Sequence, residues 1–407
     1  MMLLLLYINF FASIQGSAGA AKKPRSLPSV PFVPSINQLA KRGGYKATNY
    51  ELFTEDGYSI WLHRIGENSG SPVLIQHGIM LAADSWITRG HNKKDLAFML
   101  LDLGYDVWLS NHRGTFFNEY SIKYNRTDPR FWDFSFHESG IYDLPVAVDK
   151  ILEVRKLKKI FYVGHSLGTI TFAVMCTMKP EYNNKIEAAM LLSPVIYPRP
   201  YNRLNPFLRT LGSFSDAIVE NARKTGNYDL GLRNTHTEVA LKVLCGEQAI
   251  TQSICLGIVA VFAGENCKNI NPKDWSNFLP HVSGTSLKTV LHVYQLVLAD
   301  DFVQFDYHPW LFDNLKKYNS TKPPRYNLKL LTTPVGLFWS YNDGFMDEKS
   351  VKKTADALPH LLVNFPVEDK SFSHLDMVIG DNANIVLYPH IIKQIESINK
   401  KKMRRKT

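Results

Sequence analysis

Short apolar runs recur along the chain and are separated by longer segments of helical period. Ser59–Ile65, Val73–Gln76, Asp106–Leu109, Ile160–Gly164, Ala188–Ser193, Val335–Ser340 and Leu361–Pro366 read as strands. Several are apolar without a break, the pattern of strands buried on both faces. Segments such as Ile141–Leu157 and Ile385–Asn399 read as helices. Strand–helix alternation predicts an α/β fold, a mostly parallel central sheet with helices on both faces. The stretch 197–323 interrupts this rhythm. It falls between two predicted strands, shows no strand-like run and reads as mixed helix and loop, so it is taken as an inserted cap. Its apolar pieces, such as Ile254–Phe262, form either cap core or a lipid-facing lid surface. The expected organisation is a leader at 1–20, a core at 21–196, the cap at 197–323, the rest of the core at 324–399 and a basic tail at 400–407.

Composition narrows the class. The chain has 407 residues, 45% apolar and 21% charged, which excludes a disordered or fibrous protein; four Cys exclude a disulfide-dense mini-domain. The net charge of +10 suggests nucleic acid until its distribution is examined. Six positive charges fall in Lys400–Thr407, and removing them leaves +4. The tail reads as solvated and mobile, with a contact to an anionic membrane or a receptor as the alternative. No nucleic-acid-binding motif accompanies it.

Met1 to about Ile14 is strongly apolar, and small residues follow at Ser17–Ala20. The run is roughly 12–14 residues, short of the roughly 20 that a spanning helix needs. It reads as a secretory signal peptide cut between about Gly16 and Ala21, with an uncleaved signal anchor as the rival. No other segment has the length and apolarity to span a bilayer. In a secreted chain, Asn125-Arg126-Thr127 and Asn319-Ser320-Thr321 become glycosylation sequons. Cys245 and Cys255 bracket a short loop whose closure by a disulfide would contribute about 3 kcal/mol; four buried apolar cysteines are the alternative. No Cys or His spacing suggests a metal site.

The chemistry starts at Gly164-His165-Ser166-Leu167-Gly168. It follows the apolar run Ile160–Val163 and precedes a helix-compatible stretch, Thr169–Met178. This is the strand–turn–helix setting of a nucleophile elbow, and Ser166 is the candidate nucleophile. A Ser hydroxyl needs a base near neutral pH. Three His lie near the last strand. His360 precedes it, at the wrong end for a parallel sheet; His390 falls in the terminal helix; His374 follows by a loop and is the candidate base. Asp343, in the turn Tyr341-Asn342-Asp343-Gly344 after Val335–Ser340, is the candidate acid that orients His374. Asp347 is its rival, though it also suits the N-cap of Glu348–Ala357. Asp376 is too close to His374 in sequence to orient its ring and reads as structural. Backbone N–H groups of Leu167 and Ile79 are the candidate oxyanion donors, the latter in His77-Gly78-Ile79-Met80 after the strand Val73–Gln76.

With these residues in hand, the chain resembles the acid lipases, the gastric and lysosomal acid lipase group of α/β hydrolases. The resemblance runs from about Tyr45 to Ile395. It is carried by Glu55-Asp56-Gly57-Tyr58, His63-Arg64-Ile65, Gln76-His77-Gly78, Asn111-His112-Arg113-Gly114, Phe131-Trp132-Asp133-Phe134-Ser135-Phe136, Tyr142-Asp143-Leu144-Pro145, Gly164-His165-Ser166, Asn342-Asp343 and His374-Leu375-Asp376. It implies an α/β-hydrolase fold with a cap, Ser166, Asp343 and His374 as the catalytic set, Ile79 as the second oxyanion donor, and a Cys245–Cys255 disulfide. It implies a secreted or lysosomal lipase of neutral lipid esters, triacylglycerols or cholesteryl esters, working at a lipid–water interface without cofactor or metal. A carboxylesterase of small soluble esters and a catalytically silent lipid carrier are the other readings. The chain departs from the family pattern at Leu167, where Gln is usual, at Gly264-Glu265-Asn266-Cys267, where Gly-Phe-Asp is common, and in the basic tail.

Overall fold

The computed structural model describes residues 33–404 apart from 91–94, 119, 232, 234, 265–267 and 308–310. The expected leader and Cys267 lie outside the described residues. Eight strands form one sheet: β1 (Ala47–Phe53), β2 (Ser59–Ile65), β3 (Pro72–Gln76), β4 (Asp106–Ser110), β5 (Ile160–His165), β6 (Ile186–Leu192), β7 (Val335–Trp339) and β8 (Leu361–Pro366). Their order is β1-β2-β4-β3-β5-β6-β7-β8. β1 and β2 pair antiparallel, as do β2 and β4. From β4 to β8 every pairing is parallel. The carboxyl ends of β3, β5, β6, β7 and β8 therefore share one edge, where ligands bind in open α/β sheets.

The interior strands alternate between two cores, as a period of two requires. Val73, Ile75, Val107, Leu109, Phe161 and Val163 face one cluster with Trp86 and Phe98. Leu74, Trp108, Ile160 and Tyr162 face the other, where the helices Leu144–Arg155 and Leu167–Met178 pack. The strand β1 was not predicted. Ala47–Phe53 is mostly half-exposed on the sheet edge and carries the polar residues that exposure permits.

The terminal helix runs beyond its expected end at Asn399. The terminal helix runs Tyr388–Arg404, so the first part of the basic segment is helical. Its stripe Ile391, Ile392, Ile395 and Ile398 seats it on the first core. Once seated, a helix extends at little cost into Lys-rich sequence of good propensity.

Between β6 and β7 the cap contains helices and turns and no strand among its described residues. Cys245 and Cys255 are disulfide-bonded, which ties the helix Thr235–Cys245 to the helix Gln252–Ala263. A buried ion cluster fastens the cap to the core. Asp84, in the segment after β3, accepts from Arg233 Nη1 at 2.6 Å and pairs with His281 Nδ1 at 2.7 Å. Against the opposing effect of burial, Arg233 and His281 hold the Asp84 carboxyl well below the usual carboxylate range. Nearby, Phe116 N–H donates to Ser283 Oγ, and Ser283 N–H donates to the carbonyl of Met80. Asn125 and Asn319 are exposed.

A second buried cluster explains four of the motifs that carried the resemblance. Arg113 donates through its backbone N–H and Nε to Asp143 at 2.9 Å each, and through Nη2 to Asp56 at 2.9 Å. Its guanidinium lies 4.1 Å from the ring centre of Tyr58. Tyr58 packs with Phe131, Trp132 and Phe134 and donates to the carbonyl of Phe131. The four motifs are thus a single structural unit, built by contacts far apart in sequence.

Candidate active site

The end of β5 turns sharply into the helix Leu167–Met178 through Ser166, whose φ of 52° and ψ of −113° lie outside the region that non-Gly residues favour. The flanking glycines make that turn possible. A Cβ on Gly164 would sit 2.6 Å from Tyr162, and one on Gly168 would sit 3.0 Å from the carbonyl of Gln76. Ser166 N–H donates to the carbonyl of Leu192 at 3.0 Å, and the carbonyl of Ser166 accepts from Thr169 Oγ1 at 2.6 Å. The strained turn is fixed from both sides.

His374 follows β8 and Asp343 follows β7. His374 Nδ1 donates to Asp343 Oδ2 at 2.8 Å, and the other carboxylate oxygen accepts from Phe345 N–H at 2.8 Å. With Nδ1 as donor, Nε2 of neutral His374 is left as an acceptor. The loop of His374 meets the elbow directly. His165, the residue before Ser166, donates from Nε2 to the carbonyl of His374 at 3.0 Å, and the two rings stand 4.8 Å apart. Burial pushes His165 well below the ordinary His range, so its ring stays neutral and serves as this fixed donor.

The loop after β3 closes on the same point. Gly78 approaches the elbow so closely that a Cβ there would lie 2.8 Å from His165 Nδ1 and 3.0 Å from Ser166 Cβ. His77 stiffens this loop: Nδ1 donates to the carbonyl of Gly78 at 2.7 Å, while Nε2 accepts from His112 N–H at 3.1 Å. Burial lowers the His77 pKa to about 4, which keeps one nitrogen an acceptor. Ile79 is the next residue in the loop. Leu167 begins the elbow helix, where the first N–H groups have no intrahelical partner.

The other candidates fall elsewhere. Asp347 caps the helix Glu348–Ala357 by accepting from Ser350 N–H, and it pairs with Arg203 at 3.2 Å. His360 precedes β8 and His390 lies in the terminal helix. Asp376 accepts from Ser373 N–H at 2.7 Å and so braces the segment just before His374. Sequence reasoning did not foresee His165 or His77 as braces, although both lie inside motifs it had singled out. It also missed the cap's direct contact with His374 through Ala263.

Burial raises the Asp376 pKa to about 6 from its ordinary 3.8. The folded chain then holds this proton where the unfolded chain has lost it. Its contribution to stability is present below about pH 3.8 and is lost as pH rises through 6. Asp376→Asn stays neutral throughout and can still accept from Ser373. The stability advantage of wild type over Asp376→Asn is expected to be larger at pH 4 than at pH 7 by roughly 2–3 kcal/mol, measured by urea unfolding. An equal difference at both pH values would refute this assignment.

Among the described residues no group of three His, Cys, Asp or Glu is placed to hold a metal ion. No helix among them is long and apolar enough to cross a membrane.

A family described as "Partial alpha/beta-hydrolase lipase region" matches residues 36–90, and the alpha/beta hydrolase fold family matches residues 71–235. The chain is 32% identical over 369 residues to Lipase 1 of Drosophila melanogaster, covering 89% of this chain and 80% of that one. It is 30% identical over 370 residues to gastric triacylglycerol lipase of Rattus norvegicus, covering 89% and 91%. It is 30% identical over 368 residues to human Lipase member N, covering 88% and 90%. A crystal structure from Sulfolobus solfataricus, 13% identical, shares the fold with a TM-score of 0.56 over 87% of this chain and 94% of that one. An elbow at β5, a His–Asp pair at the neighbouring strand ends and extended similarity to gastric-type enzymes lead to one assignment: the chain belongs to the acid lipase family of α/β hydrolases.

Proposed function

We propose that the chain is a serine lipase that hydrolyses carboxylic esters of neutral lipids, triacylglycerols or cholesteryl esters, through an acyl-enzyme. Ser166 Oγ attacks the ester carbonyl while His374 Nε2 takes its proton. Asp343 holds the tautomer and stabilises the imidazolium. The backbone N–H groups of Leu167 and Ile79 receive the negative charge on the tetrahedral oxygen. The proton passes from His374 to the departing alcohol and leaves Ser166 acylated. Water then attacks the acyl carbon, His374 takes its proton, and the fatty acid and free Ser166 are released. The observation that carries the reading is the 2.8 Å His374–Asp343 hydrogen bond beside the strained Ser166 elbow.

A lipid surface as the site of action is supported by the outer face of the cap. Val239, Val243, Leu244, Ile250 and Ile254 are exposed around the Cys245–Cys255 link, and Ile250 is 99% exposed. Leu241 and Leu256, on the opposite faces of the same helices, pack toward the core. Residues of this kind gain free energy when they leave water for an apolar phase. The disulfide and the exposed sequons at Asn125 and Asn319 support passage through the secretory pathway, to the exterior or the lysosome.

Hydrolysis of emulsified long-chain triacylglycerol against a soluble short-chain ester tests the substrate class. Wild type is expected to favour the emulsion. The double variant Ile250→Asp, Ile254→Asp is expected to lose about tenfold on emulsion, a cost of about 1.4 kcal/mol, and nothing on the soluble ester. A wild type that gains nothing from the emulsion would favour a carboxylesterase.

A further inference from the structure

We infer that Ala263–Gly264, where the last turn of a cap helix meets the core, is a positioning element for His374 and Asp343, so that the seating of the cap sets the competence of the catalytic pair. This rests on the catalytic reading proposed above. The last carbonyls of a helix have no partner within it. Here the carbonyl of Ala263 accepts from His374 N–H at 2.9 Å and from Gly344 N–H at 3.2 Å. One cap atom therefore binds the base residue itself and the residue next to the acid.

Further contacts make this a braced joint. Gly264 is pressed against the acid turn; a Cβ there would lie within 1.9 Å of the carbonyl oxygen of Asn342. Asn342 is stitched to the His374 loop by a parallel bridge to Ser373 and by Nδ2 donating to the carbonyl of Ser371 at 2.7 Å. A few residues further along the cap, Asn269 donates from Nδ2 to Ser371 Oγ at 3.1 Å and toward Asp376 Oδ2 at 3.4 Å, and its carbonyl accepts from Asp381 N–H at 2.7 Å. The main chain of His374 is thus gripped on both sides, its N–H by the cap and its carbonyl by His165 of the elbow.

The consequence is mechanical. A swing of the cap that lifts Ala263 removes the acceptor of His374 N–H and lets the imidazole drift from Asp343 and Ser166. A misplacement of about 1 Å in such a set costs on the order of 100-fold in rate. Cap motion that admits substrate must therefore leave this joint closed and open the cap elsewhere.

Gly264→Ala forces the cap backbone away from Asn342. On a soluble short-chain ester its kcat is expected to fall about 100-fold with KM within about twofold. Asn269→Ala removes the side-chain brace without a clash and is expected to lose about 3- to 10-fold in kcat with KM unchanged; it decides the matter if Gly264→Ala does not fold. Wild-type kcat in the folded variants would overturn the inference, and so would a change in Tm alone. Ser166→Ala is assayed alongside. Residual wild-type hydrolysis in that control would overturn the catalytic reading instead, whatever the cap variants do.

Discussion

Ser166→Ala is expected to reduce kcat/KM by about 10⁴- to 10⁶-fold on soluble and emulsified esters alike, with little change in stability. The range follows from what nucleophile removal costs in enzymes whose residues act as a unit, with oxyanion stabilisation and binding as the residue of activity. The geometry makes the loss specific. Ser166 occupies a strained turn that two glycines, Gly164 and Gly168, permit and that contacts to Leu192 and Thr169 hold. Ala fits the same backbone, so the variant keeps the elbow and loses only the hydroxyl. Removing His374 as well should then cost almost nothing more, because a base without a nucleophile has no proton to take. A full additional loss in the double variant would mean that the two residues work independently.

Arg113→Leu is expected to destabilise the fold by about 3–5 kcal/mol. Removing one partner of a buried ion pair leaves the other without compensation. Arg113 and Asp143 are both almost fully buried, and Asp56 is the third member. Burial already pushes the Asp143 carboxyl above its ordinary range, with Arg113 pulling it back. Without Arg113 that pull disappears, and Asp143 holds a proton to higher pH in the folded state. The folded variant then binds more protons than the unfolded chain through the mildly acidic range, so its stability falls as pH rises through that range. The deficit against wild type should accordingly be larger at pH 8 than at pH 5 when measured by urea unfolding. A change below 1 kcal/mol would show that the cluster is not what locks the four motifs together.

How far the sequence discloses this molecule depends on how local each signal is. β3, β5 and β6 are legible because burial on both faces demands unbroken apolar runs. β1 is not, because an edge strand with half-exposed residues reads like any polar segment. Ser166 is legible from five consecutive residues in their strand–helix setting. His374 and Asp343 follow from topology alone, since each comes just after a predicted strand. The sequence favours Asp343 over Asp347 because Asp347 also suits a helix N-cap, and in the structure Asp347 is that cap. The Arg113 cluster could not be derived from spacing, because Asp56, Arg113 and Asp143 meet only after three separate segments fold together. The same holds for Asp84, Arg233 and His281, which join core to cap. Gly264 was noticed only as the first residue of a stretch that departs from a family pattern; its contact with Asn342 gives that position a physical meaning. The far end of the terminal helix was not legible, because charge alone does not show that the isoleucine stripe upstream carries the helix into the basic segment.

The central claim is that His374, oriented by Asp343, makes Ser166 the nucleophile. Labelling with a fluorophosphonate followed by mass spectrometry of the peptides tests it directly. The account predicts one phosphonyl group per chain, on Ser166, formed rapidly in wild type and at least about 10³-fold more slowly in His374→Ala. Label on another residue, or hydrolysis that survives complete modification of Ser166, would contradict it.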